Sequence, residues 1–362
     1  YASALVALGD HARAREIAIE GLLDVPGDED LIESFEEAVR DDPLLHPEVQ
    51  VIVPDEEIDQ IRALGGGKSL SFKMRKEGKN LYAFKPAQVE WGEGWRAEIA
   101  AYLLCEAIRC GFDVPRSLPA KISREHFEEL YGRHTSPKQG AYKERFGELT
   151  WVMERGSDGE EREYLHGVLK EWVPGFVEWP IEYVSSWRQL LDASRSQDEL
   201  DRSFRAAFGS LRLKQGGKYW YGLNKEREGA STRELAAGIS GLLLFDFLTG
   251  NWDRFSQVEA YYGVNNHFKD GRFLSLDNGA AFHLQPMQSV RARFSLSSRF
   301  GARFVAALRI MKPSEFNDVF FPEASSEGKK RLEVFWAQRD AALTAIDGHI
   351  EAYGEDAVLC FD

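Results

Sequence analysis

Four residues of the types that serve phosphoryl transfer stand well separated along the sequence: Lys85, Glu98, Asp253 and Asp277. That chemistry asks little covalent help of a protein. It needs positioned charge: a cation on phosphate oxygens, carboxylates for a divalent metal ion, and a carboxylate placed to accept a hydroxyl proton. Taken one at a time, each residue also has an ordinary reading. Lys85 reads as a surface lysine at a strand end, Glu98 as a solvated helix residue and Asp253 as a carboxylate stabilising its own loop. Asp277, just before Asn278-Gly279, also suits a tight hairpin turn. Their order carries the stronger signal: glycine loop, strand lysine, helix glutamate, hinge strand, helix-end aspartate, strand-end aspartate.

The elements that must position these residues can be read in turn. Lys85 closes the strand-like run Leu81-Tyr82-Ala83-Phe84-Lys85-Pro86. Between Phe84 and Pro86 it should project into a partly dry site, where a point charge acts more strongly. Val49 to Val53 alternates as a strand does, and Lys68–Lys73 with Asn80–Lys85 predicts a hairpin across Lys76-Glu77-Gly78-Lys79. Gly65-Gly66-Gly67-Lys68-Ser69 invites a P-loop reading, but that motif needs glycine where Arg62 stands, and a helix rather than a strand afterwards. A glycine loop between two strands instead suits Gly66 and Gly67 to covering nucleotide phosphates with backbone N–H groups, an ordinary flexible loop being the alternative.

Trp95 to Arg109 predicts a helix with Ile99, Leu103, Ala107 and Ala100, Leu104, Ile108 on its apolar face. Helical angles set Glu98 off that stripe, free to face a cleft. Ser117–Ile122, Thr150–Glu154 and Leu165–Val173 predict strands, and Arg124–Glu148 an exposed helix and loop. Ser231 to Glu234 has the spacing of a capping box opening an apolar helix to Leu248, and Phe273–Leu276 is a short strand before Asp277. Ser295 to about Tyr353 reads as mostly amphipathic helix. A β-rich part followed by an α-rich part gives an α+β fold class with two lobes, 46–174 and 175–362, divided at Pro174-Gly175. A short helical extension, 1–45, precedes them. Its run from Ala4 to Ala14, closing on Val25-Pro26-Gly27-Asp28, resembles part of a tetratricopeptide repeat; a generic helical hairpin fits as well. Either would offer a protein partner a surface.

Composition excludes several classes. The chain has 362 residues, 43% hydrophobic and 29% charged, enough for two sizeable cores. A net charge of −14 without a basic stripe speaks against nucleic acid and anionic membranes as partners. The longest apolar run, Gly238 to Leu248, falls short of the roughly 20 residues that span a bilayer. Cys105, Cys110 and Cys360, without CxxC spacing, read as unpaired thiols in a reducing cytoplasm, two of them along one helix. With Tyr1 first, the sequence reads as a fragment. HExxH, GxSxG and GxGxxG motifs are all missing, which argues against zinc hydrolase, serine hydrolase and dinucleotide chemistry.

A family resemblance rests on six stretches. Phe84-Lys85-Pro86, the helix from Arg96-Ala97-Glu98 to Leu103, and Val114-Pro115 resemble the secretory-pathway kinases that phosphorylate casein and xylose. Asp246 through Arg254, with its Gly250-Asn251-Trp252-Asp253-Arg254, and Leu276 through Phe282 are most similar to the four-jointed branch. Leu165 through Pro174 resembles the family's hinge strand. The resemblance, over about Gly65 to Met311, implies a two-lobed atypical protein-kinase-like fold using ATP with Mn²⁺ or Mg²⁺. It implies that Lys85 holds nucleotide phosphates, Glu98 pairs with Lys85 and touches metal, and Asp253 is catalytic. Asp277 would be the metal ligand, and the backbone of Glu171, Trp172 and Val173 would meet the adenine. Ordinary protein kinases place a metal-binding Asn five residues after the catalytic Asp; Val258 stands there, which leaves Glu259 for a second metal. Few cysteines and a helical extension suggest a bacterial or otherwise intracellular relative. The expected activity is ATP-dependent phosphorylation of a protein Ser or Thr hydroxyl. The alternatives are a sugar or small-molecule kinase, or a pseudokinase scaffold.

Overall fold

The structure is a computed structural model and describes residues 1–65, 68–156, 159–178, 187–196, 231–255, 265–285, 287–321 and 326–361. It is a mixed α+β chain. The chain divides into two compact units: one of Tyr1–Leu45, Leu103–Val114 and Gly175–Asp362, the other of His46–Tyr102 and Pro115–Pro174.

In chain order, helices α1 (Ala2–Ala7), α2 (His11–Asp24) and α3 (Glu29–Arg40) come first, followed by strands β1 (Gln50–Val51), β2 (Gln60–Ala63), β3 (Phe72–Lys76) and β4 (Lys79–Pro86). Helix α4 (Gly94–Ile108) and strand β5 (Ser117–Ser123) lead to α5 (Arg124–Gly132) and α6 (Pro137–Glu144). Then come β6 (Trp151–Arg155), β7 (Glu161–Glu171) and β8 (Val177–Glu178), followed by α7 (Thr232–Thr249), β9 (His267–Lys269) and β10 (Arg272–Leu274).

The β-rich unit is built on a seven-stranded sheet in the order β1-β5-β7-β4-β3-β2. β7 is its spine. One flank pairs with β5; the other pairs with β4 through Gly167–Glu171 and with β6 through Glu161–Leu165. The predicted hairpin forms between β3 and β4. Its two-residue turn, Glu77-Gly78, has positive φ at both positions, the geometry that matches strand twist. Phe84 and Leu169 point into a core with Phe72, Phe127, Leu130 and Tyr131. The ring of Phe72 meets that of Phe127 edge-on at 5.1 Å. The charged stretch 124–148 is therefore not simply exposed: its i, i+3, i+4 positions Phe127, Leu130 and Tyr131 are buried under the sheet.

Gly167 is required by that sheet. A Cβ there would lie 2.5 Å from the Lys85 carbonyl oxygen and 2.8 Å from Pro86 Cα, so β4 and β7 could not approach in this register.

The other unit is mainly helical. Helix α7 begins with the predicted capping box, Ser231 with Glu234, and ends at Gly250, whose φ of 66° supplies the left-handed cap. It is apolar on nearly every side and correspondingly buried. Phe247 stacks on Phe294 at 4.3 Å between centroids, and Phe245 meets Phe112 at 5.2 Å. The three-stranded sheet β10-β9-β8 lies in the same unit. Helices α1 to α3 pack on one another, and α2 and α3 also contact the helices Ala302–Ile310 and Pro313–Phe320. Phe35 stacks with Phe316, Glu20 pairs with Arg303 and Glu36 pairs with Lys312.

One expectation is corrected by the cysteines. Cys105 and Cys110 are joined as a disulfide, with Cα atoms 5.1 Å apart, and Cys360 is a buried cysteine outside that bond. The reason is local: α4 ends at Ile108 and Arg109 takes a left-handed φ of 55°, which turns Cys110 off the helix and back toward Cys105. Among the described residues no helix is long and apolar enough to cross a membrane.

Candidate active site

The four candidates fall in two clusters, one in each unit. In the β-rich unit, Lys85 and Lys170 lie on the sheet face opposite the Phe84–Leu169 core. Lys85 sits opposite Val168, and Lys170 opposite Ala83. Residues directly opposed on antiparallel strands share a face, as do residues two apart on one strand, so the two lysines are diagonal neighbours. Glu98 of α4 meets both. Lys85 Nζ donates to Glu98 Oε1, and Lys170 Nζ donates to Oε2 at 2.6 Å.

Glu98 is fully buried rather than free to face a cleft, a second correction. Its helix is covered nearly all round, with Ala97, Ile99, Ala100 and Ala101 buried beside it. A carboxylate tolerates such a place only when paired and hydrogen-bonded, and the two ammonium groups supply both. The Lys85 side chain keeps 17% of its surface, while that of Lys170 keeps 5%.

Gln88 adds a further tie. Buried beyond the end of β4, it accepts from Leu70 N at 2.7 Å and donates to Leu70 O and Pro86 O. The chain leaving the glycine loop is thereby fixed to the strand that carries Lys85. Gly66 and Gly67 themselves lie outside the described residues. In the expected hinge, the Glu171 N–H donates to Arg116 O and the Trp172 N–H to Leu81 O, both at 2.9 Å. The Val173 N–H lies beyond β7 and makes neither of these bonds. Lys73 stands 5.3 Å above the Trp172 ring.

The second cluster is organised by Arg254, which is completely buried. Its Nε reaches both Asp246 carboxylate oxygens at 2.9 and 2.8 Å, and Nη1 donates to Asn265 O at 3.2 Å. Nη2 reaches Ser275 Oγ at 2.6 Å and Asn278 Oδ1 at 3.2 Å. One guanidinium thus joins the end of α7 to the residues on either side of Asp277. Asn251 completes the frame by donating to Asn278 Oδ1 and accepting from Asp253 N. Asp253 is half-buried, and Asn265 Nδ2 donates to its Oδ2 at 3.1 Å and to its carbonyl at 3.2 Å. Asp277 is half-buried just past β10. The hairpin alternative for Asp277 is not realised, because the Asn278 side chain turns inward and, among the described residues, no strand follows before the helix Gln288–Phe294.

Burial pushes the Asp246 carboxyl up to about 6, against the pull of Arg254. At neutral pH it remains ionised and paired.

Lys170, Gln88, Asp246, Asn265 and the structural part of Arg254 were not assigned roles from sequence. Two of them left a signal. Asp246 interrupts the apolar run Leu242–Leu248, and Lys170 directly follows Val168-Leu169 on a strand; an ionisable residue so placed is buried only with a partner. Gln88 and Asn265 left none. Val258 and Glu259 lie outside the described residues.

The donor set suits phosphate through Lys85 and Lys170. Among the described residues no group of three or more His, Cys, Asp or Glu side chains is arranged to hold a metal ion. Mg²⁺ is commonly held by one or two carboxylates together with substrate phosphates, a role that Asp277 has the chemistry to fill. Compared with protein-family models and with curated proteins, the chain finds no match.

Proposed function

We propose that this chain is a phosphotransferase of the atypical, two-lobed kinase type, moving the γ-phosphoryl group of ATP to a hydroxyl, most often a protein Ser or Thr. The observation that carries the reading is the ion pair between Lys85 on a central strand and the fully buried Glu98 on the adjoining helix. A lysine so held is pre-oriented, and holding charge in place before the reaction is most of what phosphoryl transfer asks of a protein.

In this reading Lys85 binds phosphate oxygens and Glu98 fixes its ammonium group. Asp253 accepts the proton of the acceptor hydroxyl, its carboxylate aimed by Asn265. Asp277 would hold Mn²⁺ or Mg²⁺, which when bound neutralises charge on the phosphates. Asn251, Arg254 and Asn278 are positioning residues, since the hydrogen bonds they make hold the loops of Asp253 and Asp277.

The test joins binding to turnover. The wild type should gain thermal stability with ATP and Mn²⁺ and transfer labelled phosphate to a protein or sugar panel. Asp253→Asn should keep the thermal gain and lose at least a hundredfold in transfer. No metal-dependent gain in the wild type would end the reading, and unchanged transfer in Asp253→Asn would remove Asp253 from the chemistry.

A further inference from the structure

In a chain of net charge −14, the β2–β3 pair carries a cluster of cations. Arg62 of β2 lies directly opposite Lys73 of β3, and Gln60 lies opposite Arg75. Opposed residues share a face, as do residues two apart on one strand, so these four side chains stand on one side of the sheet. All four are half-buried, and the exposed Lys138 adds a further charge beside them, its Nζ donating to Leu64 O at 2.6 Å. Like charges directly opposed across strands are destabilising unless something offsets them. Among the described residues, none of Arg62, Lys73 and Arg75 forms an ion pair. Burial, and then the charges of Lys138, Arg75 and Arg62, hold the Lys73 ammonium below the ordinary lysine value, with no carboxylate acting against them.

Gln60 shows how the cluster is kept charged. Its Oε1 accepts from Arg62 Nε at 2.6 Å and from Arg75 Nη1 at 3.4 Å. A glutamate would reach the same two donors and neutralise them, whereas the amide orients both guanidinium groups and leaves their charge. The adjoining carboxylate, Asp59, accepts instead from the Glu77 N–H at 2.6 Å. Arg75 Nε is buried and has no hydrogen-bond partner. Lys85 shares this sheet face, because Lys73 is opposite Ala83, but the cluster extends away from it. Arg75 pairs with Asn80, five residues before Lys85 on β4 and about 16 Å from it along the strand.

We propose that Arg62, Lys73 and Arg75, oriented by Gln60, form a binding site for a compact anion of two or more charges, a phosphorylated or polyphosphate group. Guanidinium forks match phosphate oxygens two at a time, and several cations on one face favour a multiply charged group. The site stands apart from the phosphotransferase reading and uses neither Asp253 nor a metal ion.

Calorimetric titration of the full chain with sodium tripolyphosphate and with ATP, both without divalent metal, tests this. The wild type should bind tripolyphosphate. Gln60→Glu should weaken that binding by about tenfold or more and, by neutralising the guanidinium pair, raise the melting temperature of the unliganded protein. Lys73→Gln should weaken binding by a similar factor. An equal loss for ATP assigns the nucleotide's own phosphates to this site, and a loss for tripolyphosphate alone assigns it to a free phosphorylated ligand. A wild type that does not bind tripolyphosphate, or an affinity unchanged in Lys73→Gln, overturns the proposal. So does an unchanged affinity in a Gln60→Glu protein that melts higher than the wild type. If Gln60→Glu melts lower, Lys73→Gln alone decides. None of these outcomes bears on the gain with ATP and Mn²⁺ that tests the phosphotransferase reading.

Discussion

At the scale of single residues, Arg254 and Asp246 set the geometry around Asp253 and Asp277, and their pairing depends on pH. Asp246 is wholly buried and its carboxyl is raised to about 6. Between its ordinary value and 6 the folded chain binds a proton that the unfolded chain has released. Stability from this group is therefore full at low pH, falls as pH rises through that window, and levels off above 6. Asp246→Asn mimics the protonated form. The stability of wild type minus that of the variant should accordingly decrease by up to about 3 kcal/mol between pH 4 and pH 7, measured by urea denaturation. A difference that does not move with pH would mean that Arg254 holds the carboxyl at its ordinary value. Position along the chain singled out Lys85, Glu98, Asp253 and Asp277 as candidates because each follows or sits on a recognisable element. It did not reveal Asn265, since an Asn looks the same in sequence whether it orients a carboxylate or caps a turn.

At the scale of elements, hairpin β3–β4, strand β7 and helix α7 were legible because turn chemistry, a long apolar run and a capping box are local signals. The burial of Glu98 was not legible. Helical angles correctly set it off the stripe of Ile99 and Leu103, but the second face of α4 is covered too, and a helix wheel cannot report what lies against it. The end of α4 was legible to within a residue, but spacing alone could not show that Arg109 takes a left-handed φ and brings Cys110 back to Cys105. Gly167 offers a test at this scale. Gly167→Ala places a methyl 2.5 Å from Lys85 O, so β4 must shift against β7 and Lys85 with it. The expected result is a loss of about 1–3 kcal/mol in stability, together with at least tenfold weaker nucleotide binding. Unchanged nucleotide affinity would separate the Lys85 strand from the binding role given to it.

At the scale of the whole molecule, α1 to α3 belong to the same compact unit as the helices Ala302–Ile310 and Pro313–Phe320. Their apolar face is occupied within the chain, because Phe35, Ala38 and Val39 are fully buried and Phe35 stacks on Phe316 at 6.1 Å. A partner for these helices would have to use their other side. Phe35→Ala should lower stability by about 3–5 kcal/mol. A loss below about 1 kcal/mol would instead mark α1 to α3 as detachable. The α+β class was legible from the change in periodicity along the chain, whereas the contact of an opening helical hairpin with helices some 270 residues later left no mark in local pattern.

Strand β7 carries a consequence for how the β-rich unit moves. From Tyr164 to Lys170 it has a neighbour on both sides, β5 on one and β6 and then β4 on the other. Solvent deuterium can reach the backbone amides of Leu165 to Lys170 only when neighbouring strands detach, so they should be among the last in this unit to exchange. Lys170 is thus mounted on the slowest-opening part of its unit, while Val173, three residues on, sits beyond the last strand pairing. Within those three residues the pairing runs out: Glu171 and Trp172 still donate to Arg116 and Leu81, and Val173 lies past both bonds.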